Sequence, residues 1–190
     1  MSRPPRDALR REILAVAQRL FSTLGFRATS LQMIADEVDC SKAALLYHFT
    51  TKAAIFDALV EGLVDDLQRI LDALADLPTR QRLPRLLELS VALVVKHREA
   101  LAMLRGLGDL GEMSPPAARG QELADRVRDV LAAPGASVQQ RATAHIFEHG
   151  LLGACLGLPD VDDDELADAL LGVGARIFDI DPQRLTRVTL

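Results

Sequence analysis

Tryptophan is absent from this 190-residue chain, tyrosine occurs once and phenylalanine six times. With so few rings, the core must be built from Leu, Ala and Val, which favours helices over sheet. Cysteine is scarce as well. Cys40 and Cys155 lie far apart and read as buried thiols of a protein in the reducing cytoplasm, not as a disulfide framework. No apolar run approaches the ~20 residues a membrane span needs. The basic start, MSRPPRDALRR, leads into an amphipathic helix without a cleavable apolar segment, so no signal peptide is expected. There is no Ser/His/Asp grouping, phosphate-binding loop or Cys-x-x-Cys, so no catalytic residue, resident metal or cofactor is expected.

The formal net charge of −5 would by itself argue against a nucleic-acid partner, but its distribution argues for one. Residues 1–52 carry eight Lys and Arg (Arg3, Arg6, Arg10, Arg11, Arg19, Arg27, Lys42, Lys52) against five acids (Asp7, Glu12, Asp36, Glu37, Asp39). Of the totals of 22 and 27, that leaves 14 basic against 22 acidic residues in 53–190. A basic head on an acidic body suits a protein that meets DNA at one end.

Within the head, residues 29–56 (TSLQMIADEVDCSKAALLYHFTTKAAIF) pattern as two short helices joined by a tight turn. Ser30 is a good N-cap, and Leu31, Ile34, Ala35 and Val38 form one apolar stripe behind it. Asp39 interrupts the stripe and tolerates the left-handed backbone that a sharp reversal needs. Ser41 caps the second helix, where Leu45 and Phe49 face inward at i and i+4. Lys42, Ala43, Leu46, Tyr47 and His48 are left facing away from the core, a surface suited to a DNA major groove.

This stretch resembles the helix-turn-helix of the tetracycline-repressor (TetR) family, whose pattern is roughly TS…IA…GVSKGxLYxHF..K..L. Thr29-Ser30, Ile34-Ala35, Ser41-Lys42, Leu45, His48-Phe49 and Lys52 fall in register. The likeness covers residues 8–60; beyond them it is architectural only. Four positions depart from the pattern: Asp39 for glycine, Cys40 for valine, Ala43 for glycine and Leu46 for tyrosine. The first three are mild, whereas Leu46 lacks the hydroxyl that often reaches a phosphate. By this resemblance Tyr47, His48 and Lys52 touch phosphates and Ser30 reaches the backbone from the preceding helix. Lys42, Ala43 and Leu46 sit where base edges are read. Ser41 opens that helix, and Arg27, in the turn after the first helix, is free to approach a phosphate.

The remaining pattern is helical apart from a Gly- and Pro-rich connection over Gly106 to Gly120. A first helix over 7–24 carries Ile13, Val16, Ala17, Leu20, Phe21 and Leu24 and stops at Gly25. A long helix from Lys52 to about residue 77 carries an unbroken apolar stripe and ends before Pro78. It begins in the head and ends in the body, which makes it the physical candidate for carrying a signal. Helix continues over 83–104 with a break near 96–98, then over 117–133, 137–158 and from 162 to about 179. Asp162 to Glu165 place acids where a helix dipole favours them. The last two helices are apolar on more than one face and contain small residues, so they want partners beyond their own chain. In the family resembled here, that pair forms a four-helix dimer bundle, which makes Ile146, Gly150, Gly153, Leu166, Leu170, Gly174 and Phe178 the expected dimer interface.

The fold expected is therefore all-α: a three-helix head over residues 1–51 and a larger helical body over 52–190. The family resemblance implies a small-molecule pocket in that body. Leu63, Leu67, His97, Arg105, His145, Phe147 and His149 are its candidate lining, with Arg98 beside His97 and Asp109 beside Arg105. A ligand for so Leu- and Val-rich a body is expected to be hydrophobic and of modest size.

Two motifs point elsewhere. Gly106, Gly108 and Gly111 spell G-x-G-x-x-G, but with helix before them and Ser114-Pro115-Pro116 after, the strand and opening helix of a dinucleotide site are missing. His145, Glu148 and His149 spell H-x-x-E-H, in which two histidines share zinc and the glutamate is a general base. A protease of that kind needs a third ligand well downstream, and only 41 residues follow, occupied by an acidic cap and an apolar helix. The function expected is a homodimeric, ligand-responsive DNA-binding transcriptional regulator, most often a repressor, on a palindromic operator. A helical metallohydrolase centred on His145 and His149 and a dimeric interaction module without DNA are the alternatives.

Overall fold

Helix start and stop signals in the sequence decide where each element falls. In the structure, a computed structural model that describes residues 6–105 and 115–190, those residues form nine α-helices. They are α1 (Arg6–Leu24), α2 (Leu31–Glu37), α3 (Lys42–His48), α4 (Lys52–Ala75), α5 (Thr79–Lys96), α6 (Arg98–Arg105), α7 (Pro115–Ala132), α8 (Val138–Gly157) and α9 (Asp163–Ile177), with a 3-10 turn at Pro182–Arg184. The side chain of Arg105, the whole of Asp109 and the triplet Gly106, Gly108 and Gly111 lie outside the described residues.

Ser30, Ser41, Thr51 and Ser137 each accept a backbone N–H in the first turn of α2, α3, α4 and α8. At α8 the Gln140 side chain returns the bond, completing a capping box. The first turn of α9 takes its cap from Asp162, which accepts from Asp164 and Glu165. Gly25 ends α1 at φ 87°, a left-handed backbone that costs glycine nothing. The helix over 83–104 expected from the sequence instead starts at Thr79 and takes Pro84 inside its N-terminal turns. Arg82 of α5 turns back to donate to the carbonyls of Leu77 and Ala75 at the end of α4. The break expected near 96–98 is there, with His97 as the cap between α5 and α6.

In the head, α1 covers α2 and α3 and packs on α4, so Ile13, Ala17, Phe21, Ile34, Leu45, Phe49, Ile55 and Phe56 share one core. Phe26 stands between Phe21 (5.1 Å) and Phe56 (5.6 Å), tying the loop after α1 to the start of α4. In the body α4 lies along α7, close enough that a Cβ at Gly120 would come within 3.1 Å of Val64 Cγ2. The helices α5, α8 and α9 complete the bundle. No helix among the described residues is long and apolar enough to cross a membrane.

One expectation needs correction here. Leu166, Leu170 and Gly174 are buried against this chain's own core, and Phe178 packs edge-on against buried Phe147 at 5.1 Å. A Cβ at Gly174 would sit 3.2 Å from Phe147 Cε2, so that glycine serves the α8–α9 packing. Leu166, Leu170 and Gly174 are thus taken up by the monomer's own packing, and Phe178 is half-buried against Phe147. The apolar outer faces are carried by Ile146 (69% exposed) with Gly150 and Gly153 on α8, and by Val173 and Ile177 on α9.

Candidate nucleic-acid interface

The turn between α2 and α3 sets the angle at which α3 is offered to solvent. Asp39 adopts φ 54°, the left-handed conformation expected of it. Cys40 N–H donates to the Ala35 carbonyl (2.9 Å) and Asp39 N–H to that of Asp36 (3.3 Å), a Schellman closure made without glycine. Buried Thr29 anchors the approach to α2 by donating its hydroxyl to the carbonyls of Gly25 (3.0 Å) and Leu20 (3.3 Å). Arg19 bridges to Glu37 at 2.5 Å, and the Arg10 guanidinium lies 5.1 Å from the Phe49 ring centre.

With Leu45 and Phe49 buried beneath it, α3 presents Lys42, Ala43, Leu46 (38% exposed) and Tyr47 (62% exposed) on its outer side. His48 is half-buried and packs edge-on against Tyr47 at 5.3 Å. Ser30 and Ser41 stand exposed at the caps of α2 and α3, where each hydroxyl accepts a helix N–H (3.2 and 3.1 Å) and keeps its own proton for another acceptor. Arg27 is exposed in the loop before α2. The structure thus brings eight of the nine expected DNA residues to one end of the molecule, six of them on α3 or at its N-cap.

Lys52 is the ninth, and its ammonium is turned to backbone carbonyls rather than offered outward. Its ammonium donates to the carbonyls of Phe26, Thr29 (2.7 Å) and, more loosely, Arg27 (3.4 Å), and lies 4.4 Å from the Phe26 ring centre. With its protons committed to backbone, Lys52 is a strut between α4 and the loop that sets up α2. Partial burial pushes its amine below the usual lysine range.

Of the seven residues expected to line a body pocket, the six whose side chains are described do not converge. Leu63 and Phe147 are buried in the core and Leu67 is half-buried. His145 and His149 are exposed on the outer face of α8, so they cannot share a cavity with Leu63. His97 is bound to Asp66 at 2.8 Å. A cleft of about 410 Å³ instead opens between α5, α9 and the C-terminal segment. Its floor is apolar (Val91, Val95, Leu171, Val188), and its rim carries Lys96, Asp163, Asp164 and Arg187.

Sequence reasoning also missed two links. Asp66, 4% exposed within the α4 stripe, accepts from Arg69, Lys96 (2.7 Å) and His97 (2.8 Å), joining α4 to the α5–α6 break. Burial alone would raise its carboxyl, but the hydrogen bonds and charges of Lys96 and His97 outweigh that and hold it below the usual range. The second link joins head to body. Gln18 of α1 donates to the Glu99 carboxylate of α6 at 2.9 Å, and the Ser22 hydroxyl, shared with the Gln18 carbonyl (2.9 Å), reaches the Glu99 carbonyl at 3.2 Å. Head and body therefore meet through α6 as well as through α4. An acid inside an apolar stripe was the one available signal for the first link. Nothing in the local pattern marks the second.

Residues 13–59 match the family model described as bacterial regulatory proteins, tetR family. The transcriptional repressor KstR2 of Rhodococcus jostii is 36% identical over 73 residues, a match spanning 35% of this chain and about a third (36%) of that protein. The nucleoid occlusion factor SlmA of Photobacterium profundum is 30% identical over 168 residues, 86% of this chain and 78% of that one. Among solved structures, AibR in complex with isovaleryl coenzyme A and operator DNA superposes with a TM-score of 0.61 at 21% identity, covering 91% of this chain and 100% of that one. That likeness is one of fold. With the helix-turn-helix on a basic head and a relative matched along most of its length, the chain belongs to the tetR family of bacterial regulatory proteins, DNA-binding regulators of transcription.

Proposed function

We propose that the chain is a ligand-responsive repressor that binds a palindromic operator as a homodimer in the cytoplasm. One observation carries the reading: α3 offers Lys42, Ala43, Leu46 and Tyr47 to solvent at the end of the molecule where positive charge is concentrated. Lys42, Ala43 and Leu46 read base edges, and Arg27, Ser30, Ser41, Tyr47 and His48 hold the backbone. Residues 1–51 act as the reading head and 52–190 as the sensing and dimerising body. The dimer forms through the exposed apolar faces of α8 and α9, on Ile146, Gly150 and Gly153 with Val173 and Ile177.

The name of KstR2 supports repression, and AibR, solved with both isovaleryl coenzyme A and operator DNA, supports an effector acting on this fold. The effector is a small, largely apolar molecule. It must favour the body geometry in which α4 and α6 hold the heads off adjacent major grooves, since a ligand indifferent to that geometry shifts nothing. A thermal-shift screen followed by operator titration tests this. Apolar ligands are expected to raise the melting temperature and release the operator. Stabilisation by polar anionic metabolites alone would overturn the assignment of effector class.

The likeness to SlmA, a nucleoid occlusion factor, along 86% of the chain favours a second reading, in which the chain binds DNA for nucleoid occlusion rather than at one promoter. Binding sites scattered around a chromosome, in place of one beside a gene, would select it.

A further inference from the structure

The exposed face of α8 carries a chemistry that DNA binding does not use. His145, Glu148 and His149 lie on consecutive turns, and their ligand atoms all lie within 4.8 Å of one another. The ring centres of the two histidines are 6.2 Å apart with planes inclined by 31°. His149 Nδ1 sits 2.9 Å from the carbonyl oxygen of His145. An N–H donated there fixes the tautomer and leaves Nε2 with its lone pair outward, as a metal-binding imidazole requires. Glu148 is oriented by Arg128, whose Nε donates to Oε2 at 2.6 Å and Nη2 to Oε1 at 3.3 Å, so the carboxylate keeps lone pairs for a further partner. The positive charge of Arg128, which opposes a nearby cation, is shared with Asp125 at 2.8 Å.

We propose that His145, Glu148 and His149 form a binding site for a divalent cation of the zinc class. Imidazole suits zinc, nickel and copper, and two histidines at i and i+4 reach one ion from a single helix face. Rotation of the exposed side chains closes the 4.8 Å spread toward a tetrahedral set. The fourth position faces outward, beside Ile146 and Gly150. With Glu148 serving as ligand no general base remains, which makes this a binding site and not the hydrolytic centre that the H-x-x-E-H order suggests. The expectation of no resident metal is revised accordingly.

Titrating the untagged full chain with cobalt(II), followed by competition with zinc, tests the site. The visible bands of nitrogen-coordinated cobalt are expected to appear, and zinc to displace them, because zinc binds such ligands more tightly. Alanine at His145 or at His149 is expected to weaken zinc binding roughly tenfold or more, at least what loss of an outer-shell partner costs. Both side chains are exposed, so the melting temperature should hold. One ion per chain means a chelate within one copy, and one per two chains means a shared ion; either count bears the site out. Zinc uptake unchanged in the chain carrying both His145→Ala and His149→Ala, or no uptake by the unsubstituted chain, overturns it. A Glu148→Gln chain that binds zinc as tightly as the unsubstituted one overturns the three-ligand set.

Discussion

Lys42 and Lys52 are both lysines of the helix-turn-helix region, ten positions apart, yet their surroundings assign them different work. Lys42 is exposed at the start of α3, whereas Lys52 spends its protons on backbone carbonyls. Lys42→Ala should narrow the gap between operator and random duplex, by about 1–3 kcal/mol if it reads a guanine. Lys52→Ala should leave the salt dependence of binding unchanged and lower the melting temperature, since carbonyls of the loop before α2 lose their donor. A salt slope that falls by about one per half-site in Lys52→Ala would restore it as a phosphate contact. Asp66 gives a third test at this scale. Its folded carboxyl lies below the unfolded value of about 3.9, so its contribution is fully present above that pH and is lost as pH falls through the folded value. Asp66→Asn should cost about 1–3 kcal/mol at neutral pH, and the difference in melting temperature should close as the solution is acidified. A difference that widens in acid contradicts this.

Among the elements, the helices were far more legible than the faces they bury. Caps such as Ser30, Ser41 and Ser137, stops such as Gly25 and Pro78, and unbroken stripes such as that of α4 act locally, so the sequence reads them directly. The outer side of α3 was legible for the same reason: Leu45 and Phe49 name its inner side, and the exposed residues follow by geometry. Faces on α8 and α9 were not, because both helices are apolar over much of their circumference. Leu170 and Ile177 look alike in sequence, and only packing in the folded bundle leaves one buried and the other 38% exposed. The pocket failed similarly, since a cleft between α5, α9 and the C-terminal segment joins residues almost a hundred positions apart. The corrected faces make opposite predictions for two substitutions. Ile146→Glu should leave the monomer folded while dissociating the dimer and weakening operator binding together. Leu170→Ala should destabilise the fold by about 2–5 kcal/mol yet leave the chain dimeric below its lowered melting temperature. Sedimentation of both variants decides it, and a dimeric Ile146→Glu chain would show the interface to lie elsewhere.

At the scale of the whole molecule, charge and architecture agree. The acidic body keeps the protein off nucleic acid everywhere except at the end where α3 is exposed. Two routes, α4 and the contact of α1 with Glu99 on α6, connect that end to the body. Everything rests on two copies presenting two α3 helices to one duplex. Selection of sites from random duplex by the purified chain tests that most directly. The result expected is one enriched sequence with two-fold symmetry, its half-sites centred about one helical turn or a small multiple apart, bound with an affinity that falls steeply with salt. Enrichment of a single unrepeated half-site, or of nothing over the starting pool, would contradict the account.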